Sequence, residues 1–329
     1  MTSATSTQPR LLDRAIVRSL PVMPRALVQR LSAPYIAGSD VDDAVATTRS
    51  LAARGMGATL DVLGEAITRK EEAEATRDAY LDAIARLGAL NEDPRLVRNV
   101  SVKLTALGLG IDDRLVHDNV DAIAEAMQAV GGFVRIDMED SPWTDATLEL
   151  YRSLRDDRGR DNLGIVIQSY LKRSRADVEA LASEGARVRV VKGIYIEPEA
   201  IAWRDMETIN RSYLDLCRIL AEAGCHAAYA THDDRLISGC LDLVERQGVS
   251  RDHYEFQMLL GVREHRRDDL VDQGHPMRVY VPFGAQWYEY SVRRLRENPR
   301  VAGQVAHATL DGWRRRLSGA DRRAKRARG

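Results

Sequence analysis

Along most of this chain, short apolar runs alternate with longer stretches in which apolar residues recur every three or four positions. The runs fall at Ala58–Gly64, Asn99–Leu107, Phe133–Met138, Leu163–Tyr170, Arg187–Gly193, His226–Thr231, Tyr254–Leu260 and Met277–Phe283. They are short and rich in β-branched residues, which predicts strands. Between them, Glu72–Leu87 sets Ala79, Ile84 and Leu87 at helical spacing, and Leu115–Val130 does the same with Val116, Val120, Ile123 and Met127. Strand alternating with helix implies parallel pairing through right-handed crossovers. Eight such units within about 230 residues fit a closed (β/α)8 barrel of the α/β class better than an open sheet. Upstream, Leu12, Ile16, Val17 and Leu20, then Leu27, Val28 and Leu31, are broken by Pro21 and Pro24 and predict short helices. The expected division is a tail with short helices over residues 1–50, the barrel over 51–312 and a basic tail over 313–329.

Composition narrows the function classes. The 329 residues carry a net charge of -1, so no overall basic field points to nucleic acid. Cys217, Cys225 and Cys240 form no CxxC and have no histidines at ligand spacing, which predicts reduced structural thiols and no metal site. Residues 1–9 lack a signal layout and no apolar run is long enough to span a bilayer, so a cytoplasmic protein is expected. No Gly-x-Gly-x-x-Gly follows a strand, which disfavours a doubly wound dinucleotide fold. The tail from Trp313 is arginine-rich; a solvated end is the first reading and weak attraction to an anionic membrane surface the second.

In a parallel barrel the chemistry sits where the strands end. Those ends are polar here: Glu65, Lys103, Asp137 with Glu139, Gln168, Lys192, Thr231 with His232, Gln257 and Tyr280. Lysine is scarce, with five in the chain, yet Lys103 and Lys192 both close apolar strands. In the fifth run the period of two sends Arg189 to the opposite side from Val190, and an inward Arg189 would put permanent charge in the barrel mouth. Lys192 by itself fits a Schiff-base aldolase, and a barrel that binds a flavin or an amino acid without turnover is a further alternative.

After the eighth run come Trp287, Tyr288 and Tyr290, then Arg293 and Arg294 within helical reach of Glu297. Two guanidiniums beside aromatic groups suit a small ligand with a carboxylate and an apolar body, the features of an amino acid.

Taken together, Ser101-Val-Lys-Leu-Thr105, Arg135-Ile-Asp-Met-Glu139, Gln168-Ser-Tyr-Leu-Lys-Arg173, Arg189-Val-Val-Lys-Gly-Ile-Tyr195, Ala230-Thr-His232, Glu255-Phe-Gln-Met-Leu259 and Arg278-Val-Tyr-Val-Pro-Phe-Gly284 through Arg293-Arg-Leu-Arg-Glu297 resemble the flavin-dependent proline dehydrogenases. The motifs keep that family's order over roughly residues 58 to 300. The resemblance implies a distorted (β/α)8 TIM barrel with a final helix over its mouth and non-covalent FAD. It implies oxidation of L-proline to Δ1-pyrroline-5-carboxylate, the first step of proline catabolism, with electrons passed to a membrane quinone. A downstream pyrroline-5-carboxylate dehydrogenase would be a partner, and the location would be cytoplasmic or peripheral to the inner membrane face.

Carried over residue by residue, Lys103, Arg293 and Arg294 resemble the clamp for the substrate carboxylate. Tyr280 and Leu259 resemble the walls against the ring, and Asp137 the acidic residue that orients the polar network. Glu65 is similar to a gate that pairs with Arg293. Arg189 matches the arginine beside flavin N5, Gln168 a flavin-ring partner and Met138 a position at the ring edge. Lys192, Gly193, Ile194, Thr231, His232 and Glu297 resemble further FAD contacts. Three positions depart from the family pattern: Ile194 replaces an alanine, Ile196 a tryptophan and Asp233 an asparagine, and the added charge of Asp233 near the phosphate path is expected to soften FAD affinity. Ser291 falls where the family accepts or rejects a ring hydroxyl, which leaves hydroxyproline open as a second substrate.

Overall fold

The computed structural model describes residues 28, 32–64, 67–90, 97–288 and 290–292. The chain divides into two compact units, residues 37–284 and residues 1–36 with 285–329. In the second of these the described residues include Val28 and Ser32, whose Oγ donates to the Val28 carbonyl at 2.7 Å, a 3-10 turn at Ala33–Tyr35 and helical residues among 287–292, where Ser291 Oγ donates to the Trp287 carbonyl at 2.6 Å. Glu65, Arg293, Arg294, Glu297 and the basic tail lie outside the described residues.

The first unit begins with helix α1 (Val41–Ala53) and then repeats strand and helix: β1 (Gly57–Val62), α2 (Lys70–Gly88), β2 (Asn99–Val102), α3 (Asp113–Ala129), β3 (Phe133–Ile136), α4 (Thr144–Asp156), β4 (Leu163–Gln168) and α5 (Ser174–Ser183). It continues through β5 (Val188–Val191), α6 (Met206–Glu222), β6 (Ala227–Ala230), α7 (Asp234–Gln247), β7 (Tyr254–Leu259), α8 (Glu264–Asp272) and β8 (Met277–Phe283). All neighbours pair in parallel and β8 returns to β1, closing the eight-stranded barrel that the alternation predicted. All eight predicted strands are present. Several end earlier than expected: β2 stops at Val102 because the chain turns at Lys103 into the 3-10 turn Leu104–Ala106. Residues beyond the ladder thereby become loops whose polar side chains turn toward the mouth.

Local sequence starts the helices. Asp40, Asp112, Asp205 and Asp233 each accept a backbone N–H from the first turn of α1, α3, α6 and α7, satisfying donors that would otherwise lack partners. Helix faces such as Val116, Val120, Ile123 and Met127 of α3 are buried in the apolar layer between helices and sheet. Cys217, Cys225 and Cys240 are buried free thiols in this unit.

Inside the barrel the usual filling of branched aliphatic side chains is replaced by charge. Arg135, Arg189, Glu255, Gln257 and Arg278 are all buried. Arg278 donates to both Glu255 oxygens, at 2.8 to 3.1 Å, and to the Ala58 carbonyl. Arg135 donates to the carbonyls of Ile165 and Arg187, at 3.1 and 2.6 Å. Room for these guanidiniums comes from Gly57 and Gly164: a methyl group on Gly164 would lie 2.5 Å from Arg135 and one on Gly57 3.0 Å from Arg278. No helix among the described residues is long and apolar enough to cross a membrane.

Candidate active site

Toward the C-terminal ends of the strands the interior polar groups form one connected cluster. Arg189 leaves β5 inward and bonds Asp137 just past β3, Ser101 Oγ on β2 at 3.3 Å and Gln257 Oε1 on β7 at 3.2 Å. Tyr280 on β8 donates to the other Asp137 oxygen at 2.9 Å and accepts from Lys103 Nζ at 3.3 Å. Lys103 also donates to Asp61 Oδ1 at 2.8 Å. Both cations lie near the Tyr280 ring, Arg189 at 5.4 Å and Lys103 at 5.9 Å from its centroid. Thus Lys103 and Asp137, just past their strands, meet Arg189, which lies within β5, and Tyr280, which was expected at the end of its strand and lies in the middle of β8.

Burial lowers the Arg189 pKa to about 10, against the pull of Tyr280, Asp61 and Glu255. The guanidinium therefore stays charged at neutral pH, and its Nε–H is buried with no acceptor among the described residues. Asp61, only 1% exposed, is the residue that sequence reasoning passed over. A lone aspartate inside the apolar run Thr59-Leu60-Asp61-Val62 was the available signal, since an unpaired buried carboxylate is costly.

Around this cluster the other expected residues divide into groups. Gln168 at the end of β4 donates to the Glu139 carbonyl at 2.8 Å, and Glu139 accepts from Thr105 N at 2.9 Å and Thr105 Oγ1 at 2.5 Å. Met138 is buried next to Asp137 in sequence. His232 Nε2 accepts the Leu259 N–H at 2.9 Å, so it ties the end of β6 to that of β7 and its proton sits on Nδ1. Thr231 Oγ1 accepts the Asp233 N–H at 3.1 Å. Lys192 donates to Asp233 at 2.7 Å. Gly193 has φ +106°, and a methyl group there would lie 2.2 Å from the Tyr170 ring, so only glycine fits.

The loop after β5 is unlike the rest of the surface. Of the large apolar side chains left exposed among the described residues, all but Val97 lie in it or open the helix that follows: Ile194, Ile196, Ile201 and Trp203 in the loop and Met206 at the start of α6. Ile196 is 94% exposed. Such an apolar shelf beside a cation and a glycine suits a large, partly planar, anionic ligand. The buried Arg189 N–H, Gly193 and these exposed apolar side chains are compatible with the flavin cofactor that the resemblance implies.

A closed parallel barrel with ion-paired cations and a tyrosine gathered at its C-terminal end defines a barrel enzyme with a small-molecule site at the mouth. A family profile described as proline dehydrogenase matches residues 44–307. The chain is 34% identical over 291 residues to a proline dehydrogenase of Deinococcus radiodurans, covering 88% of this chain and 93% of that one. It is 35% identical over 264 residues to proline dehydrogenase 2 of Bacillus subtilis, covering 80% and 85%. Among solved structures, the proline utilization A protein of Bdellovibrio bacteriovorus inactivated by N-propargylglycine superposes with a TM-score of 0.76 at 28% identity; the match covers 84% of this chain and 34% of that one. The chain belongs to the proline dehydrogenase family.

Proposed function

We propose that this protein oxidises L-proline to Δ1-pyrroline-5-carboxylate with FAD as its cofactor and a membrane quinone as the final electron acceptor. The observation that carries the reading is the Lys103–Tyr280–Asp137–Arg189 cluster within a chain of this family. Lys103 supplies a cation for the substrate carboxylate, together with Arg293 and Arg294 of the sequence motif. Tyr280 and Leu259 wall the ring. Asp137 fixes both Arg189 and the Tyr280 hydroxyl, holding that proton on the tyrosine oxygen. Asp61 keeps Lys103 in place and offsets its charge until a carboxylate arrives.

Arg189, Gln168, Met138, Lys192, Gly193, Ile194, Thr231 and His232 would hold FAD, with Glu297 from the motif. When bound, FAD supplies the two-electron acceptor for a hydride, which no side chain of the cluster can provide. A fixed cation at Arg189 favours an electron-rich partner. A Schiff-base role for Lys192 is disfavoured because Asp233 engages its amine, whereas an amine nucleophile needs a desolvated apolar setting. The electron acceptor, a pyrroline-5-carboxylate dehydrogenase as partner and contact of the basic tail with a membrane belong to the same proposal and rest on the family resemblance. The test is the visible spectrum of the purified protein without oxygen: proline should bleach a bound flavin band, and a preparation that stays colourless with added FAD would refute the proposal.

A further inference from the structure

Lys192 closes β5 and Asp233 opens α7, so the barrel brings together two residues separated by 41 positions. Both carboxylate oxygens are committed: Oδ1 accepts the Arg235 N–H at 3.0 Å and caps α7, while Oδ2 accepts from Lys192 Nζ at 2.7 Å. The Lys192 and Asp233 side chains are 24% and 33% exposed, so water screens the pair only in part. Burial pushes the Asp233 carboxyl up, yet the hydrogen bond and charge of Lys192 outweigh it and hold the group below its usual range. Asp233 is therefore anionic at any pH at which the protein would work.

The neighbouring cations are committed as well. Arg263 bonds Asp234 and the His232 carbonyl, both at 2.6 Å, and Arg235 bonds Glu207 at 2.6 Å. Arg263 is the single described non-glycine residue with positive φ, at 50°, held there by these bonds. An anionic ligand lying along Gly193 and the apolar shelf thus meets Lys192 already neutralised by a carboxylate.

We propose that Asp233 competes with the phosphate part of FAD for Lys192, so that this ion pair sets how tightly the cofactor is held and keeps it exchangeable. The inference rests on the FAD reading above. Cofactor binding must then draw Lys192 away from Asp233 or share it, and the attraction that a lone lysine would exert at low salt is largely cancelled.

The experiment uses Asp233→Asn, because asparagine caps a helix about as well as aspartate does while it removes the charge and the Oδ2 acceptor that hold Lys192. Holo-protein is diluted in series at several salt concentrations, and released FAD is read by its fluorescence. Removing one unit charge a few ångströms from an anion in a half-exposed setting should tighten FAD on the order of tenfold at low salt, and the gain should shrink as salt rises. Lys192→Met should release FAD more readily, and adding Asp233→Asn to it should change little, because the competition requires the lysine. FAD held equally or more loosely by a folded Asp233→Asn protein would overturn the proposal, as would an undiminished gain in the Lys192→Met background. A wild-type protein that takes up no FAD would overturn the dehydrogenase reading, and the proposal with it.

Discussion

Replacing Glu255 by glutamine tests the charged floor of the barrel. In the native protein this carboxylate is buried, receives three contacts from Arg278 and one from Gln257, and lies within electrostatic reach of Arg135. Burial alone would raise its pKa, but Arg278 brings it from 4.5 to about 2. That difference of roughly 2.5 units corresponds to about 3 kcal/mol of stability at neutral pH, the lower part of the range for breaking a buried pair from one side. The sign follows from the depressed value. The contribution is complete above the unfolded pKa near 4.5 and is lost as pH falls toward 2. E255Q should therefore lower the unfolding free energy at pH 7 by about 3 kcal/mol and flatten the part of the pH–stability curve between those values. Urea denaturation across a pH series measures both. A loss below about 1 kcal/mol, or an acid limb as steep as the wild type's, would refute the claim that this pair holds the interior together.

Q257M removes both the acceptor that Gln257 offers Arg189, at 3.2 Å, and the donor it offers Glu255, at 2.5 Å, while keeping side-chain volume; a hydrogen bond to a charged group is worth roughly 1.5–3 kcal/mol, so anaerobic flavin reduction by proline should slow about tenfold or more and the melting temperature should fall as well. K103M should raise the KM for proline by a factor of about 10 to 100 through the same kind of lost charge-assisted bond, and steady-state kinetics would show instead an unchanged KM if Lys103 does not face substrate. His226, lowered to about 4 chiefly by burial, is neutral in the folded protein; because the unfolded chain binds its proton first, stability should fall by roughly 3 kcal/mol as pH drops from about 6.5 to 4, and H226Q should remove that fall in a pH-dependent denaturation series.

The architecture was readable because a parallel barrel leaves two strong signals: short apolar strands, and helices with one apolar face. Lys103, Asp137 and Tyr280 could be picked for the same reason, since polar groups closing apolar runs are conspicuous, and Arg189 because a charge inside such a run is. Which groups pair with which could not. Asp61 meets Lys103 across 42 positions and Asp233 meets Lys192 across 41. Pairing at that range depends on which strands become neighbours and on their register. Strands of a parallel barrel are buried on both faces, so alternation does not tell inside from outside, and the inward course of Arg135, Glu255 and Arg278 left no trace in the pattern. Glu65, Arg293, Arg294 and Glu297 lie outside the described residues, so the expectations for them rest on sequence alone.

The link between the two interior tiers is a neutral amide. Gln257 donates to Glu255 at 2.5 Å and accepts from Arg189 at 3.2 Å, and the anion below allows only that orientation of the amide. A carboxylate at 257 would sit against Glu255 and repel it; a second cation would face Arg189. The amide instead passes position upward while keeping the Glu255 charge away from the site. Each upper cation then has its own counter-ion at the mouth, Asp137 for Arg189 and Asp61 for Lys103. Among the described residues the site is close to neutral before substrate binds, so the grip that Lys103 has on a carboxylate comes from hydrogen-bond geometry more than from net charge. The part of proline affinity that K103M removes should accordingly depend only weakly on ionic strength, whereas an uncompensated cation would lose affinity steeply as salt is added.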